Sequence, residues 1–369
     1  MLYYLSLWRE SFSPLNLFQY ANFRAICAAL TALLLSIWIG PLVIRALTRM
    51  KLGQPIRGKE DHVHLLADLH GSKKGTPTMG GIMIVITVVI SCLLWGVLTN
   101  LYLWLALGSM LAFGAIGFVD DYAKIKKKKA DGLTSRQKLF AQALVAALVA
   151  GFILWNPTTR AMALTVEIPY TKLAPLIDPT GGAIIFCFFL LVIIGSSNAV
   201  NLTDGLDGLA SGCTVSVAVV YAIFAYLTSI PRISKLLLIP HVPGAEELTI
   251  FCSALGGAAL GFLWYNCHPA KMFMGDTGSL AIGGALGVVA ICLNQELLLV
   301  VIGGVFVMEA LSVILQVASF KLTGKRIFAM SPLHHHFEIR GWSETTVVVR
   351  FWILCLVFAL LGLASLKIR

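Results

Sequence analysis

Charge is what this chain has least of. Asp, Glu, Lys and Arg make up only 12% of its 369 residues, where a soluble domain carries about 25%. Hydrophobic residues make up 58%, and the mean hydropathy is +0.86. That balance excludes a water-soluble globule and reads as an integral membrane protein. There are eight cysteines but no CxxC pair. Most of them (Cys92, Cys187, Cys213, Cys252, Cys292 and Cys355) sit inside apolar runs. This argues against disulfides or a cysteine-held zinc and leaves them as small core residues. An HExxH pattern is missing, as is the GxxxxGKS/T loop, so neither a zincin nor a P-loop enzyme is expected. No segment repeats at a fixed period. A formal charge of +10 would suggest nucleic acid in a soluble protein. Here it marks loops facing anionic lipid or phosphate, and no nucleic-acid partner is expected.

What is abundant is apolar sequence in helix-length runs. A membrane-spanning helix needs roughly 20 apolar residues. Ten segments qualify: 23–47, 79–98, 101–119, 138–155, 181–199, 209–229, 248–264, 280–293, 297–320 and 346–366. The eighth is short and glycine-rich, so it is expected to be buried among other helices or to begin within the bilayer. Glu10 precedes the first, which is also too long for a signal-peptide core. The expected fold is therefore all-α, a polytopic membrane protein of about ten transmembrane helices forming a single domain over 1–369. Most of the 28 lysines and arginines flank the loops after spans one, three, five, seven and nine, including Arg45, Arg49, Lys126 and Lys321. By the positive-inside rule those five loops face the inside and both termini the outside. Segments 156–180 and 230–247 then become outer loops, the first with a short hairpin.

The inner loops also hold nearly all the polar chemistry: "DLHGSKKGTPTMGG" (68–81), "VDDYAKIKKKKADG" (119–132), "NAVNLTDGLDGLA" (198–210), "WYNCHPAKMFMGDTGS" (264–279) and "SPLHHHFEIRGW" (331–342). Polar residues collected at one edge of an apolar bundle point to one composite site. Each stretch also has a plainer reading. Asp120 and Asp121 are adjacent carboxylates that repel unless a cation lies beside them. An i,i+4 pair between Asp120 and Lys124 accounts for one of them. Asp121 is left at the unfavourable end of a helix dipole, and a bound cation or a role as base resolves that. Asn198, Asn201, Asp204 and Asp207 recur every third residue before two glycines, as helix caps or as one polar stripe at the bilayer edge. Asp276 lies between glycines at the start of the eighth span, where Thr277 or Ser279 can cap the helix and its N–H groups favour phosphate. Asp276 itself offers a hard oxygen to Mg²⁺. Lys73 and Lys74 are flanking lysines or phosphate-binding point charges. Of His334, His335 and His336, a regular helix lets one or two face a site. Glu309, inside the ninth span, is functional or a satisfied polar group between helices.

Taken together and in this order, "GTPTMGG", "DDYAK", "NLTDGLDGLA", "GDTGS" and "PLHHHFE" resemble the phospho-N-acetylmuramoyl-pentapeptide transferase family of bacterial cell-wall synthesis. "DDYAK" and the Asn/Asp-rich loop alone indicate the wider superfamily of polyprenyl-phosphate N-acetylhexosamine-1-phosphate transferases; "GTPTMGG" and "PLHHHFE" indicate this branch. The resemblance covers nearly the whole chain, with residues 1–22 contributing little. It implies a Mg²⁺-dependent exchange at the cytoplasmic face between UDP-MurNAc-pentapeptide and undecaprenyl phosphate, giving lipid I and UMP. It further implies Asp276 and Asp121 at the metal, and Asp120 accepting or orienting the proton of the attacking lipid phosphate. Lys73, Lys74, Lys124 and Lys138 neutralise charge, and Asn198, Asn201, Asp204, Asp207, Asn266 and Phe273 serve the nucleotide. His334 and His335 meet the sugar-phosphate end. Direct attack and a phospho-aspartate intermediate both stay open. Homodimers are common in the resembled family, but the sequence displays no interface. Two rivals remain: a sister transferase using UDP-GlcNAc, which a donor swap distinguishes, and a transporter, which predicts charges at the bilayer midplane rather than at one edge.

Overall fold

In a bilayer every backbone N–H and C=O must be satisfied within the protein, and this chain meets that requirement with helices. The computed structural model describes residues 1–10, 12–50, 75–127, 132–171 and 175–367. Two short 3-10 helices, Leu2–Trp8 and Ser13–Gln19, precede α1 (Ala21–Arg49). There follow α2 (Gly81–Trp95), α3 (Leu101–Lys127), α4 (Ser135–Trp155), α5 (Pro157–Ala163), α6 (Ala183–Thr203), α7 (Leu209–Ser229) and α8 (Pro231–Leu237). The series ends with α9 (Glu246–Asn266), α10 (Gly275–Cys292), α11 (Glu296–Ile302), α12 (Gly304–Thr323), α13 (Leu333–Ile339) and α14 (Glu344–Ala364). The expected hairpin in segment 156–180 is present: β1 (Thr165–Val166) and β2 (Leu176–Ile177) pair antiparallel, with Thr165 opposite Ile177.

Among the described residues nine helices are long and apolar enough to cross a membrane: α1, α3, α4, α6, α7, α9, α10, α12 and α14. Three expectations need correction. The second segment forms only the 15-residue α2, whose rise of about 22 Å falls short of a hydrocarbon core of about 30 Å. The ninth, 297–320, is two helices, because the chain leaves helical geometry at Gly303 (φ −89°, ψ 21°), and the Gly303–Gly304 pair is the kind of site where a helix kinks or breaks. The third does not stop at the aspartate pair: α3 runs on to Lys127.

Two buried helices organise the bundle. α9 packs against α1, α7 and α2, and α10 packs against α3 and α6. Of the apolar stretch of α10, 89% is buried, against 22% for α1, α4 and α12, so α10 is the hub and those three form its lipid-facing periphery. Small residues permit this closeness, as is usual between membrane helices. α3 meets α10 at Gly117, where any side chain would strike the Asp276 carbonyl. On the far side from the polar loops, Arg24 of α1 forms a buried bidentate pair with Glu247 of α9, at 2.7 and 3.0 Å. Arg24 also donates to the Trp95 carbonyl, and Glu247 accepts from the Val97 N–H. A single ion pair thus joins α1, the end of α2 and α9. All eight cysteines are free. Cys92, Cys213, Cys252, Cys292 and Cys355 are buried as expected, whereas Cys187 is exposed because it lies on the outward side of α6.

Candidate active site

Four helices bring polar or charged side chains to one point. On α3, Asp120, Asp121 and Lys124 share a face through i,i+3 and i,i+4 spacing. The plain pair exists, with Lys124 Nζ 2.7 Å from Asp120. The same ammonium also lies 3.7 Å from Asp121 and 2.9 Å from Asp276 of α10. α4 opens with a capping box in which Thr134 and Gln137 each satisfy the other's backbone N–H. That start places Lys138 one turn into the helix, with Nζ 2.8 Å from Asp276. From the last turn of α6, Asn201 donates to Asp276 at 2.7 Å and to Ser279 at 2.8 Å. Residues scattered from 120 to 276 therefore converge at one point.

The awkward position of Asp121 resolves differently from expectation. Neither Thr277 nor Ser279 caps α10. Asp121 does so from the neighbouring helix, accepting from the Asp276 N–H (3.3 Å), the Thr277 N–H (3.0 Å) and the Thr277 hydroxyl (2.8 Å). Its carboxylate meets the favourable, N-terminal end of the α10 dipole, so the first N–H groups there are already engaged. The entry to α10 depends on Gly275, which adopts φ +72° and lies so near Asp121 that a Cβ would sit 2.7 Å from Oδ2. Asp120 is held in turn by the Leu133 N–H at 2.7 Å.

Carboxylate oxygens of Asp120, Asp121 and Asp276 all lie within 4.8 Å of one another. Such hard oxygen donors, converging where two ammonium groups face three carboxylates, suit a divalent cation such as Mg²⁺. Asp204 follows α6 in the loop, half-buried. Burial first, then the negative charges of Asp276 and Asp121, push its carboxyl up to about 8, while the Gly275 N–H pulls it down.

The remaining expected residues divide between this centre and its flanks. Asn198 is committed to Gln142 of α4, donating to it at 2.7 Å. Asp207 lies in a second group, 3.2 Å from His268 and accepting from the Ala270 N–H, with Glu344 3.5 Å from the same imidazole. Asn266 is buried and ties the two loops together, accepting from the Gly208 N–H and donating to the Met272 carbonyl. Phe273 joins the 75–80 segment through its backbone, donating to Pro77 and accepting from Gly80. His334 is buried beside Glu309, His335 lies 2.7 Å from Glu338, and His336 accepts from the Ala329 N–H. Lys73 and Lys74 lie outside the described residues. Gln142, His268 and Glu344 were not anticipated, and Ser279 was expected only as a helix cap. Only Gln142 carried a signal, as a polar residue in an apolar span four positions after Lys138.

Residues 103–294 match the family described as Glycosyl transferase family 4, and residues 73–85 match phospho-N-acetylmuramoyl-pentapeptide-transferase signature 1. The chain is also similar to the phospho-N-acetylmuramoyl-pentapeptide-transferase of Methylacidiphilum infernorum (isolate V4), at 59% identity over 369 residues and 100% of both chains.

Proposed function

The chain belongs to the phospho-N-acetylmuramoyl-pentapeptide-transferase family, and from that premise we propose that it transfers phospho-MurNAc-pentapeptide from UDP-MurNAc-pentapeptide to undecaprenyl phosphate. In bond terms, an oxygen of the lipid phosphate attacks the sugar-bearing phosphorus. The bond from that phosphorus to the bridging oxygen breaks, UMP leaves, and lipid I remains. One observation carries the reading. Asp120, Asp121 and Asp276 converge with Lys124 and Lys138 at one point, and a separate apolar groove of 360 Å³ runs between α6, α10, α11 and α12. Phe188, Val192 and Ala199 of α6 line that groove with Leu286, Leu297 and Phe306, and its α6 wall ends at Val200, one residue before Asn201. The apolar lining of this groove suits an isoprenoid tail.

Asp120, Asp121 and Asp276 would hold Mg²⁺, which when bound supplies Lewis-acid polarisation of the diphosphate. The chain's own groups do the rest by positioning and neutralising charge. Asn201 and Lys138 orient Asp276. Lys124 and Lys138, with Lys73 and Lys74, take up phosphate charge. Asp120 accepts or orients the proton of the lipid phosphate, whose second pKa of about 6 makes a strong base unnecessary. Asn198, Asp204, Asp207, Asn266 and Phe273 serve the nucleotide side, and His334 and His335 the sugar-phosphate side. The basic loops support a cytoplasmic site in an inner membrane with both termini outside, the whole of 1–369 acting as one domain. The test is UMP release and labelled lipid product from purified protein in detergent. Activity is expected with Mg²⁺ and UDP-MurNAc-pentapeptide, and its loss with excess EDTA. Turnover of UDP-GlcNAc instead would overturn the donor assignment.

A further inference from the structure

Glu309 lies on α12 with 0% exposure, and His334, at 1%, is the second residue of α13. One carboxylate oxygen, Oε1, is 3.2 Å from both the His334 backbone nitrogen and its ring Nδ1. The other, Oε2, has no partner, and neither does ring Nε2. The Nε2 edge packs against Gly205, so closely that a Cβ there would collide with it. Gly205 follows Asp204 in the loop between α6 and α7 that borders the charged centre. A buried imidazole is thus gripped at one nitrogen and unpartnered at the other, which faces Gly205 of the loop bordering the charged centre.

The pairing decides which nitrogen is available. A carboxylate has no hydrogen to offer, so Nδ1 carries the proton and donates to Oε1. That fixes both the ring plane and the tautomer, as the partner of one imidazole nitrogen commonly does. The backbone N–H donated to the same oxygen locks the start of α13 to α12, so His334 cannot turn away without breaking two hydrogen bonds. Buried polar atoms are rarely left unpaired, so the unpartnered Nε2 beside Gly205 is the one ring nitrogen left for a group that reaches this loop. Resting on the reading that His334 serves the sugar-phosphate side of this transferase, we propose that Glu309 is a positioning residue that acts through His334, orienting its Nε2 toward the bound substrate. His335 and His336 are held by other partners, Glu338 and the Ala329 N–H, so this arrangement belongs to His334 among the three.

A double-mutant cycle on UMP release separates acting through His334 from a merely structural role. Glu309→Ala should lower kcat by about 10- to 100-fold, the range for removing the partner that orients a functional imidazole, with KM changed less. In a His334→Ala background the same substitution should have little further effect. Glu309→Gln, which keeps an acceptor at Oε1, should restore much of the rate and covers the case in which the alanine variant does not fold. ¹⁵N spectra of histidine-labelled protein supply a readout independent of turnover: one imidazole with protonated Nδ1 and bare Nε2, lost in Glu309→Ala or, should that variant not fold, in His334→Ala. Equal losses from Glu309→Ala with and without His334 overturn the proposal, as does an unaffected kcat or an Nε2–H tautomer in the parent. A parent protein that releases no UMP under any Mg²⁺ condition overturns the transferase reading instead.

Discussion

Asp121 does two jobs, and a substitution can tell them apart. It caps α10 while sharing a cluster with Asp120 and Asp276. Asp121→Ala should therefore lose activity and also about 0.5–2 kcal/mol of stability, the usual worth of a cap, seen as a lower melting temperature in detergent. Asp276→Asn should leave melting nearly unchanged while lowering turnover about 10²–10³-fold, as loss of one electrostatic stabiliser does. Asp204 supplies a pH signature. Its folded carboxyl is raised to about 8 by burial and by Asp276 and Asp121. It therefore holds its proton more tightly folded than unfolded. The stability this contributes is complete below the unfolded value of about 4 and is lost as pH rises through 8. Without divalent cation, the melting temperature should fall over that window, and Asp204→Asn should flatten the fall. A slope unchanged in the variant would remove Asp204 as its source.

At the scale of elements, two contacts hold the frame that carries the site. Gly117 lets α3 lie against the first turn of α10. Gly117→Val should force the helices apart, at about 1–3 kcal/mol for overpacking, and depress turnover by parting Asp120 from Asp276; a fully active variant would show that the approach is not required. Arg24 and Glu247 are both buried. Arg24→Ala leaves a carboxylate unpaired and should cost about 3–5 kcal/mol, visible as a large drop in melting temperature. The ends of these elements were only partly readable from the residues. Run length and hydropathy locate spans well, because the bilayer demands them. They miss the break at Gly303 and the extension of α3 beyond Asp121, because both depend on a neighbour: the break on how α11 and α12 pack, the extension on the α10 N-terminus that receives Asp121.

For the molecule as a whole, the proposed orientation makes a prediction of its own. In sealed, right-side-out vesicles, a cysteine at Lys271 in a cysteine-free background should resist an impermeant thiol reagent, while one at Glu10 should react. The reverse pattern would invert the bundle and move the candidate site to the outer face. Hydropathy, which reflects the cost of placing polar groups in hydrocarbon, was enough to establish a helical membrane protein. The motifs were enough to assign the family. Their spacing along the chain says nothing of distance across it, so that Asp276 meets Lys124, Lys138 and Asn201 is decided by helices packing around α10. The same packing decides that Asn198 turns to Gln142, that Asp207 joins His268, and that Glu309 grips His334. Each of these is a contact between residues far apart in sequence, and only close packing of side chains selects it.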